Sequence, residues 1–293
     1  MKKDKIAIII ATYNAERFIE NCIGSILKQT NEYFEIIVVD NKSFDKTRKL
    51  VNNIIESNSN SKIHLLENNK NLGFAKACNI GIKYALSNQD TNYVLLLNQD
   101  TVTQDNLLDR LLFWAKKMGV GAYSTKILFK ESNRIWWIGT RIFKLSDLFK
   151  SLKLAVSYHV SKEQEDNYFI SEPEELESIC GCALFLHRKL VEDVGYLDEK
   201  FFMYGEDLDY SLRVKAKGYK LYIVPGTVVY HDVNLESEAL SKDNNLKKTM
   251  SRYYIHFKSS LVLLFKHFPF VYIFVWVLKI PFLIIYEMSK RIK

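Results

Sequence analysis

Short apolar segments alternate with amphipathic segments in the first hundred residues, and this alternation constrains the fold more than any other feature of the chain. The apolar segments have the length of strands and lie at 6–11, 34–40, 61–67 and 93–97. The segments between them have helical apolar spacing and lie at 15–29, 46–56 and 74–86. Because the strands lack polar alternation, both faces of their sheet must be covered. The pattern predicts an α/β fold with a mostly parallel central sheet flanked by helices.

The pattern loosens after residue 100. Further predicted helices lie at 106–117 and 207–217, and apolar, strand-like segments lie at 120–129, 134–142, 179–187 and 221–230. Residues 144–175 are polar and weakly periodic, which indicates an adaptable loop region.

Composition limits the partners of this chain. Lys and Arg total 41 against 34 Asp and Glu, a formal net charge of +7 that suits an anionic partner such as a nucleotide or a phospholipid surface. No basic run of nucleic-acid type occurs, so we expect no nucleic-acid partner. The cysteines form no CxxC pair, which favours free thiols in a reducing compartment. The apolar segment after the basic N-terminus is too short for a signal peptide, so we expect a cytoplasmic protein.

The C-terminal segment differs in kind from the rest. From Arg252 onward, aromatic and aliphatic residues recur at helical spacing, and residues 268–286 contain Lys279 as their only charge. With its basic flanks and Trp276, this segment favours a helix lying on an anionic membrane surface, at the inner face of the cell membrane. A spanning helix, or a helix that covers a core or a dimer surface, is the alternative. We divide the chain into a main domain, 1–232, and a C-terminal helical segment, 233–293, and leave the oligomeric state open.

Polar side chains cluster where the predicted strands end. They are Thr12 and Asn14 after the first strand, Asp40, Asn41 and Ser43 after the second, and Asn98 and Asp100 after the fourth. Ligands of open α/β sheets bind at the carboxyl ends of the strands. The sequence therefore predicts a ligand site at this edge.

An acidic cluster, Glu206-Asp207-Leu208-Asp209, opens the predicted helix at 207–217. A carboxylate at a helix N-terminus beside aromatic side chains is well placed to act as a base. The alternative is a plain helix cap. His231 follows the predicted strand at 221–230, 24 residues after Asp207.

Six pieces, in this order along the chain, resemble family 2 glycosyltransferases of the GT-A fold. They are the segments 10–14, 38–45, 71–81 and 97–100, the acidic cluster and His231. The resemblance covers about residues 5–232 and is strongest to bacterial rhamnosyltransferase-like members that build surface polysaccharides. It implies a Rossmann-like sheet, with a nucleotide-sugar-binding half at 1–100 and an acceptor-binding, catalytic half at 101–232.

The resemblance also implies roles for residues that bind the donor. Asp40 would accept hydrogen bonds from the base, and Thr12 and Asn14 would meet the base or the ribose. Gly73 would let the backbone approach the donor closely, with a plain turn as the alternative, and Lys76 would meet a phosphate. The implied donor-binding set is Thr12, Asn14, Asp40, Asn71, Gly73, Lys76, Asn98 and Glu206.

A divalent cation, Mn²⁺ or Mg²⁺, is implied in the same way. Asn98-Gln99-Asp100 stands where the family has its DxD motif, so one carboxylate is missing. Asp100 and His231 are the implied metal ligands, since such a cation keeps water and phosphate oxygens as its other ligands. An imidazole ligand tilts the preference to Mn²⁺.

Asp207 is the implied base of an inverting transfer, with Glu206 and Asp209 as competing candidates. The donor would be dTDP-rhamnose or a UDP-sugar, and the acceptor a saccharide or a lipid-linked saccharide. Arg213 is either a partner of one of these acids or a solvated helix charge. Candidates to stack on the acceptor sugar are Tyr204 and, unless they pack in the core, Trp136 and Trp137.

Two other functions stay open at this stage. A sugar nucleotidyltransferase would want a glycine-rich loop after the first strand, but residues 11–15 contain no glycine. A non-catalytic carbohydrate- or nucleotide-binding scaffold at the membrane is suggested by Asn98 in place of an acid. A dinucleotide oxidoreductase is not expected, because GxGxxG is absent after the first strand.

Overall fold

A computed structural model describes residues 4–58, 62–142, 157–232 and 246–268, together with Val277. The strands are β1 Lys5–Thr12, β2 Phe34–Asp40, β3 Ile63–Glu67, β4 Thr91–Leu97, β5 Thr101–Thr103, β6 Gly121–Phe129, β7 Ile135–Trp137, β8 Thr140–Ile142, β9 Ser157–His159, β10 Glu174–Glu175, β11 Ala183–His187 and β12 Lys220–His231. The helices are α1 Ile19–Leu27, α2 Thr47–Ser57, α3 Phe74–Ser87, α4 Leu107–Met118, α5 Arg188–Val194, α6 Glu206–Ala216 and α7 Leu246–His267.

The central sheet is mixed. Its strand order is β10-β12-β6-β11-β4-β1-β2-β3, with β5 paired to β12 and β7 paired to β6. Strands β1 to β4 form a parallel group, but β11 runs antiparallel to both β4 and β6. In the second half of the chain β12 pairs with β6 in parallel, but β5, β7, β10 and β11 all pair antiparallel, so the sheet is mixed and not mostly parallel as predicted. Apolar periodicity reports that a strand is buried and carries no information about its direction.

Burial explains why the parallel group could be recognised. Ile6, Ile8 and Ile10 of β1 point to one face of the sheet, Ala7 and Ile9 point to the other face, and all five are fully buried. Helix α3 packs against β1 and β2, and helices are the usual cover of a parallel sheet. The predicted strands and helices of the first hundred residues are confirmed, with ends that shift by a few residues.

The second half departs from prediction in detail. The predicted strand at 134–142 is two short strands, β7 and β8, separated at Ile138 and Gly139. Strands β5, β9 and β10 and helix α5 are too short to give a periodic signal. Of the predicted loop at 144–175, residues 144–156 lie outside the described part, and β9 and β10 occupy part of the remainder.

The C-terminal helix α7 lies in the predicted segment 233–293 and packs against the main domain. Leu263 and Leu264 of α7 form a small buried cluster with Phe201 and Leu208. No helix among the described residues is both long and apolar enough to span a bilayer. Except for Phe268 and Val277, the apolar residues 268–286, on which the membrane prediction rests, lie outside the described part of the chain.

Candidate active site

The loops that follow β1 and β2 are joined by reciprocal hydrogen bonds. The Asn14 N–H donates to Ser43 Oγ at 2.9 Å, and the Phe44 N–H donates to Asn14 Oδ1 at 2.9 Å. Asn14 takes a left-handed backbone, with φ of 51°, which asparagine tolerates better than most residues. The side chain of Asn14 therefore shapes this edge of the sheet.

Asp40 lies at the end of β2 and is fully buried. Its Oδ1 accepts from the Thr12 hydroxyl at 3.3 Å, its Oδ2 accepts from the Ser43 N–H at 2.9 Å, and Arg48 Nε lies 3.9 Å from Oδ2. The carboxylate thus already has partners on both oxygens. A base N–H that binds Asp40 would have to displace the long bond from Thr12 or use a remaining lone pair.

Asn41 is a residue that sequence reasoning placed at the edge without assigning it a role. Its Nδ2 donates to the Gly73 carbonyl at 3.2 Å, and its Oδ1 accepts from Asn68 Nδ2 at 2.9 Å. Asn71 makes a local turn, in which its Oδ1 accepts from the Gly73 N–H at 2.9 Å. These amides hold the loop after β3 against the end of β2.

Position 73 must be a glycine because the backbone of Phe202 lies too close for a side chain. The φ of Gly73 is +85°, and a Cβ built on it would lie 2.3 Å from the Phe202 carbonyl oxygen. The next residue, Phe74, donates its N–H to that same oxygen at 2.7 Å. Gly73 therefore joins this edge of the sheet to the segment before the acidic cluster. Lys76, in the first turn of α3, is partly exposed, with its Nζ 3.9 Å from Glu199.

Gln99, the middle residue of Asn98-Gln99-Asp100, links the loops after β1 and β4. Its Oε1 accepts from the Tyr13 N–H at 2.8 Å, and its Nε2 donates to the Tyr13 carbonyl at 3.5 Å. Asn98 contributes its backbone, since its N–H donates to the Cys182 carbonyl at 3.0 Å. No sequence pattern pointed to Gln99, because its partner lies 86 residues away.

Asp100 and His231 lie side by side. Strand β5 pairs with the end of β12, so that Thr101 faces His231, and this brings Asp100 Oδ1 to 3.0 Å from His231 Nε2. The imidazole is almost fully buried, and Trp136 packs edge-on against it with ring centroids 4.3 Å apart. The ring therefore has a fixed orientation, with Nε2 directed at the carboxylate.

This pair fits a divalent cation. Two adjacent ligands of an octahedral ion with bonds of about 2.1 Å lie about 3.0 Å apart, which is the separation observed. Asp100 keeps partial access to solvent, so water and phosphate oxygens can complete the shell. Within the described ranges no cluster of three or more His, Cys, Asp or Glu could hold a metal. A cation bound here would take two ligands from Asp100 and His231 and its other ligands from water or a bound substrate.

The three acids at the start of α6 have different surroundings. Asp209 is fully buried, with Arg213 Nε at 2.9 Å, Lys266 Nζ at 2.6 Å and His267 Nε2 at 2.7 Å. Burial opposes its ionisation, but these partners outweigh burial and lower the pKa of Asp209 to about 2. Of the two alternatives left open for Arg213, pairing with one of the acids is the one observed. Asp209 is an ion-paired structural group with no opening to a substrate.

Glu206 is also buried, and its Oε2 has no hydrogen-bond partner in the described part of the chain. Burial, and next the neighbouring Asp207, raise the pKa of Glu206 to about 8. The raised pKa favours the protonated, neutral form of Glu206.

Asp207 is the half-buried acid of the three. Its Oδ1 accepts from the Leu208 N–H at 2.8 Å and its Oδ2 from the Gly181 N–H at 3.1 Å. Both bonds come from backbone groups and orient the carboxylate without neutralising it. Asp207 therefore combines a fixed orientation with access to solvent.

The turn at 180–182 connects Asp207 with the motif that contains Asp100. Gly181 donates its N–H to Asp207, and the carbonyl of the next residue, Cys182, accepts from the Asn98 N–H. Burial, and next the charge of Asp207, raise the pKa of the Cys180 thiol well above its ordinary value. Two consecutive residues thus bridge the acid at the start of α6 and the backbone of Asn98, two residues before Asp100.

The three aromatic candidates for stacking on a sugar have separate positions. Trp137 is fully buried and donates its Nε1–H to Thr140, so it packs in the core. Trp136 covers His231. The ring of Tyr204, which is partly exposed, stacks on His256 of α7 with centroids 3.8 Å apart.

Polar side chains at the carboxyl ends of β1, β2 and β4 lie where proteins of the α/β class bind their ligands. Within that class, the chain belongs to glycosyl transferase family 2, whose model matches residues 7–195, more than half of its length. Family membership favours sugar transfer over nucleotidyl transfer.

Two curated relatives are similar over most of the chain. The low-salt glycan biosynthesis hexosyltransferase Agl10 of Haloferax volcanii is 26% identical over 73% of this chain and 62% of its own. The dTDP-rhamnosyl transferase RfbF of Shigella flexneri is 25% identical over 90% of this chain and 81% of its own. The chain thus spans about three fifths of the length of Agl10.

The fold is that of solved GT-A glycosyltransferases. The mannosyltransferase PcManGT from Pyrobaculum calidifontis, solved with GDP-Man and Mn²⁺, superposes with a TM-score of 0.57. The match covers 94% of this chain and 73% of that one at 17% identity, which supports the architecture alone.

Proposed function

We propose that this protein is an inverting glycosyltransferase that moves a sugar from a nucleotide-sugar donor to a saccharide or lipid-linked saccharide in surface polysaccharide synthesis. One observation carries the proposal: hydrogen bonds through Gly181 and Cys182 link Asp207, the half-buried acid of its cluster, to the motif that contains Asp100. Asp100 in turn lies against His231. Sugar transfer needs two parts at one sheet edge: a base, and a pair of side chains that can bind a metal ion.

The donor would lie along the ends of β1, β2 and β4. The partly exposed ring of Tyr13 and the exposed ring of Phe44 flank this edge and suit stacking on a base. By analogy with RfbF, dTDP-rhamnose is the leading donor, with UDP-sugars next. Asp100 and His231 would hold Mn²⁺ or Mg²⁺, which when bound neutralises charge on the diphosphate.

Asp207 would act on the acceptor. Its carboxylate takes the proton of an acceptor hydroxyl while that oxygen forms a bond to the anomeric carbon of the donor. The bond from that carbon to the diphosphate breaks, and the nucleoside diphosphate leaves with the electron pair. One displacement from the opposite face inverts the configuration and needs no second catalytic carboxylate.

A membrane surface would bring the acceptor to this site. Tyr254 and Phe265 of α7 are strongly exposed, and α7 leads into the apolar residues 268–286 with their basic flanks. This composition suits attachment to anionic lipid at the cytoplasmic face of the cell membrane.

The test is incubation of the full chain with Mn²⁺ and a panel of dTDP-, UDP- and GDP-sugars, with release of nucleotide as the readout. The proposal expects one donor class to release nucleotide, faster with an acceptor glycan, and expects EDTA to stop the reaction. Nucleotide binding without release across the panel would instead support the non-catalytic scaffold.

A further inference from the structure

Helix α7 contacts the helix that carries the acidic cluster through charged groups. Lys266 Nζ lies 2.6 Å from Asp209 Oδ1 and 2.7 Å from Asp198 Oδ2, so this one ammonium group joins two acids on either side of the segment 199–208. His267 Nε2 lies 2.7 Å from the same Asp209 oxygen. Arg213 binds the other Asp209 oxygen from within α6.

Helix α7 also contacts the backbone just before the acids. Ser259 donates its hydroxyl to the Met203 carbonyl at 3.0 Å, and His256 stacks on Tyr204. Gly205 has φ of +90°, and a Cβ there would lie 2.9 Å from Leu263 of α7. The segment 203–205 is therefore packed directly against α7.

We infer that α7 positions the proposed base, with Lys266 and His267 acting through Asp209 to set the orientation of Asp207. This rests on the proposed function. Asp209 lies two residues after Asp207 in the first turn of α6, so a shift of one moves the other. Lys266 and His267 are positioning residues, since their contacts are to Asp209 and Asp198 and not to Asp207.

The size of the effect follows from the geometry of transfer. A displacement of about 1 Å at a reacting group can lower a rate roughly a hundredfold. Loss of Lys266 leaves Asp209 with Arg213 and His267, so the helix is expected to stay folded while its first turn becomes less fixed. Thr12, Asn14 and Asp40 of the implied donor-binding set lie on other elements, so the KM for the donor should change less than kcat.

The experiment compares Lys266→Met, Lys266→Arg and the control Lys116→Met in the full chain. Lys116 pairs with Asp4 at 2.6 Å near the start of β1, the sheet edge opposite the site. Hydrogen exchange of peptides that cover 199–210 is the first readout, because it does not depend on a known substrate. With the donor found in the nucleotide panel, kcat and the KM for that donor are the second.

The inference expects faster exchange at 199–210 in Lys266→Met, a kcat at least tenfold lower with a smaller change in the donor KM, and recovery in Lys266→Arg. Lys116→Met should match the wild type in every measurement. Unchanged exchange at 199–210 in Lys266→Met overturns the inference, as does an unchanged kcat. If no donor releases nucleotide, the proposed function fails, while the exchange data still decide whether α7 holds this segment.

Discussion

Three carboxyl groups lie within four residues at the start of α6, and only their surroundings distinguish them. From sequence alone, Glu206, Asp207 and Asp209 are equivalent acids of a helix first turn. In the fold, Asp209 is paired with three basic side chains, and Asp207 keeps access to solvent. Glu206 is buried, and its Oε2 has no hydrogen-bond partner within the described ranges. The preference for Asp207 came from a family resemblance and now also has a physical reason.

Asp207→Asn should remove the base while it keeps the shape of the side chain. We expect kcat to fall by roughly 10²- to 10⁴-fold, the usual contribution of a general base. Nucleotide binding in the presence of Mn²⁺ should change little. Steady-state kinetics and calorimetry on the same preparation measure both. A variant that keeps most of its turnover would mean that another group takes the proton.

Glu206→Gln tests the buried acid through the pH dependence of stability. The pKa of Glu206 is about 8 in the folded protein against 4.5 ordinarily, so the native state holds a proton that the unfolded state releases between these values. The contribution of Glu206 to stability is complete below the unfolded-state pKa of 4.5 and is lost as pH rises through the folded-state pKa of about 8. The loss is a few kcal/mol at most, since one pKa unit corresponds to about 1.4 kcal/mol.

Urea unfolding between about pH 5 and pH 9 measures this effect. The stability of Glu206→Gln relative to the wild type should rise across this range, because glutamine does not titrate. Glu131→Gln, at an exposed carboxylate, is the control and should show no such trend. Parallel curves for wild type and Glu206→Gln would show that Glu206 is ionised in the fold.

His231→Gln tests the proposed metal ligand. Loss of the imidazole should weaken Mn²⁺ binding by roughly tenfold or more, the range seen when groups around a metal are changed. His64→Gln, on β3 beside Glu35 and Tyr84, is the matched control. Titration of Mn²⁺ followed by its paramagnetic signal gives the affinities. Equal affinity in wild type and His231→Gln would exclude His231 from the metal shell.

At the scale of helices and strands, the sequence predicts a feature when the signal for it lies in neighbouring residues. Strands β1, β2 and β4 are continuous apolar runs, so burial on both faces reveals them. The direction of β11 is set by its pairing with Leu97 and its neighbours in β4, some 90 residues away, which no local pattern encodes. Gly73 shows the same limit, because the carbonyl of Phe202 that requires it comes from another part of the chain.

Helix α7 offers a test at this scale, because buried and exposed apolar residues lie next to each other. Leu264 is fully buried with Phe201 and Leu208, whereas Phe265 is 66% exposed. Leu264→Ala should lower the free energy of unfolding by roughly 2–5 kcal/mol, and Phe265→Ala should change it by less than about 0.5 kcal/mol. Denaturant unfolding of the two variants measures both changes in the free energy of unfolding. Equal, small effects would mean that α7 does not pack on the main domain.

At the scale of the whole molecule, the site is the meeting of several loops at one sheet edge. The rule that α/β sheets bind ligands at strand ends placed Thr12, Asp40 and Asp100 together before any fold was known. It could not place Gln99, Asn41 or α7, whose contacts join parts of the chain far apart in sequence. The predicted division at residue 232 therefore separates α7 from a helix that it contacts.

The most direct test of the central claim is a crystal structure of the full chain with Mn²⁺ and the nucleoside diphosphate of its donor. The account predicts that the ion lies within about 2.5 Å of an Asp100 oxygen and of the diphosphate. Asp207 should then face the space beyond the terminal phosphate, where the sugar would stand. An ion and diphosphate bound away from Asp100 and His231, or an Asp207 carboxylate directed away from that space, would contradict it.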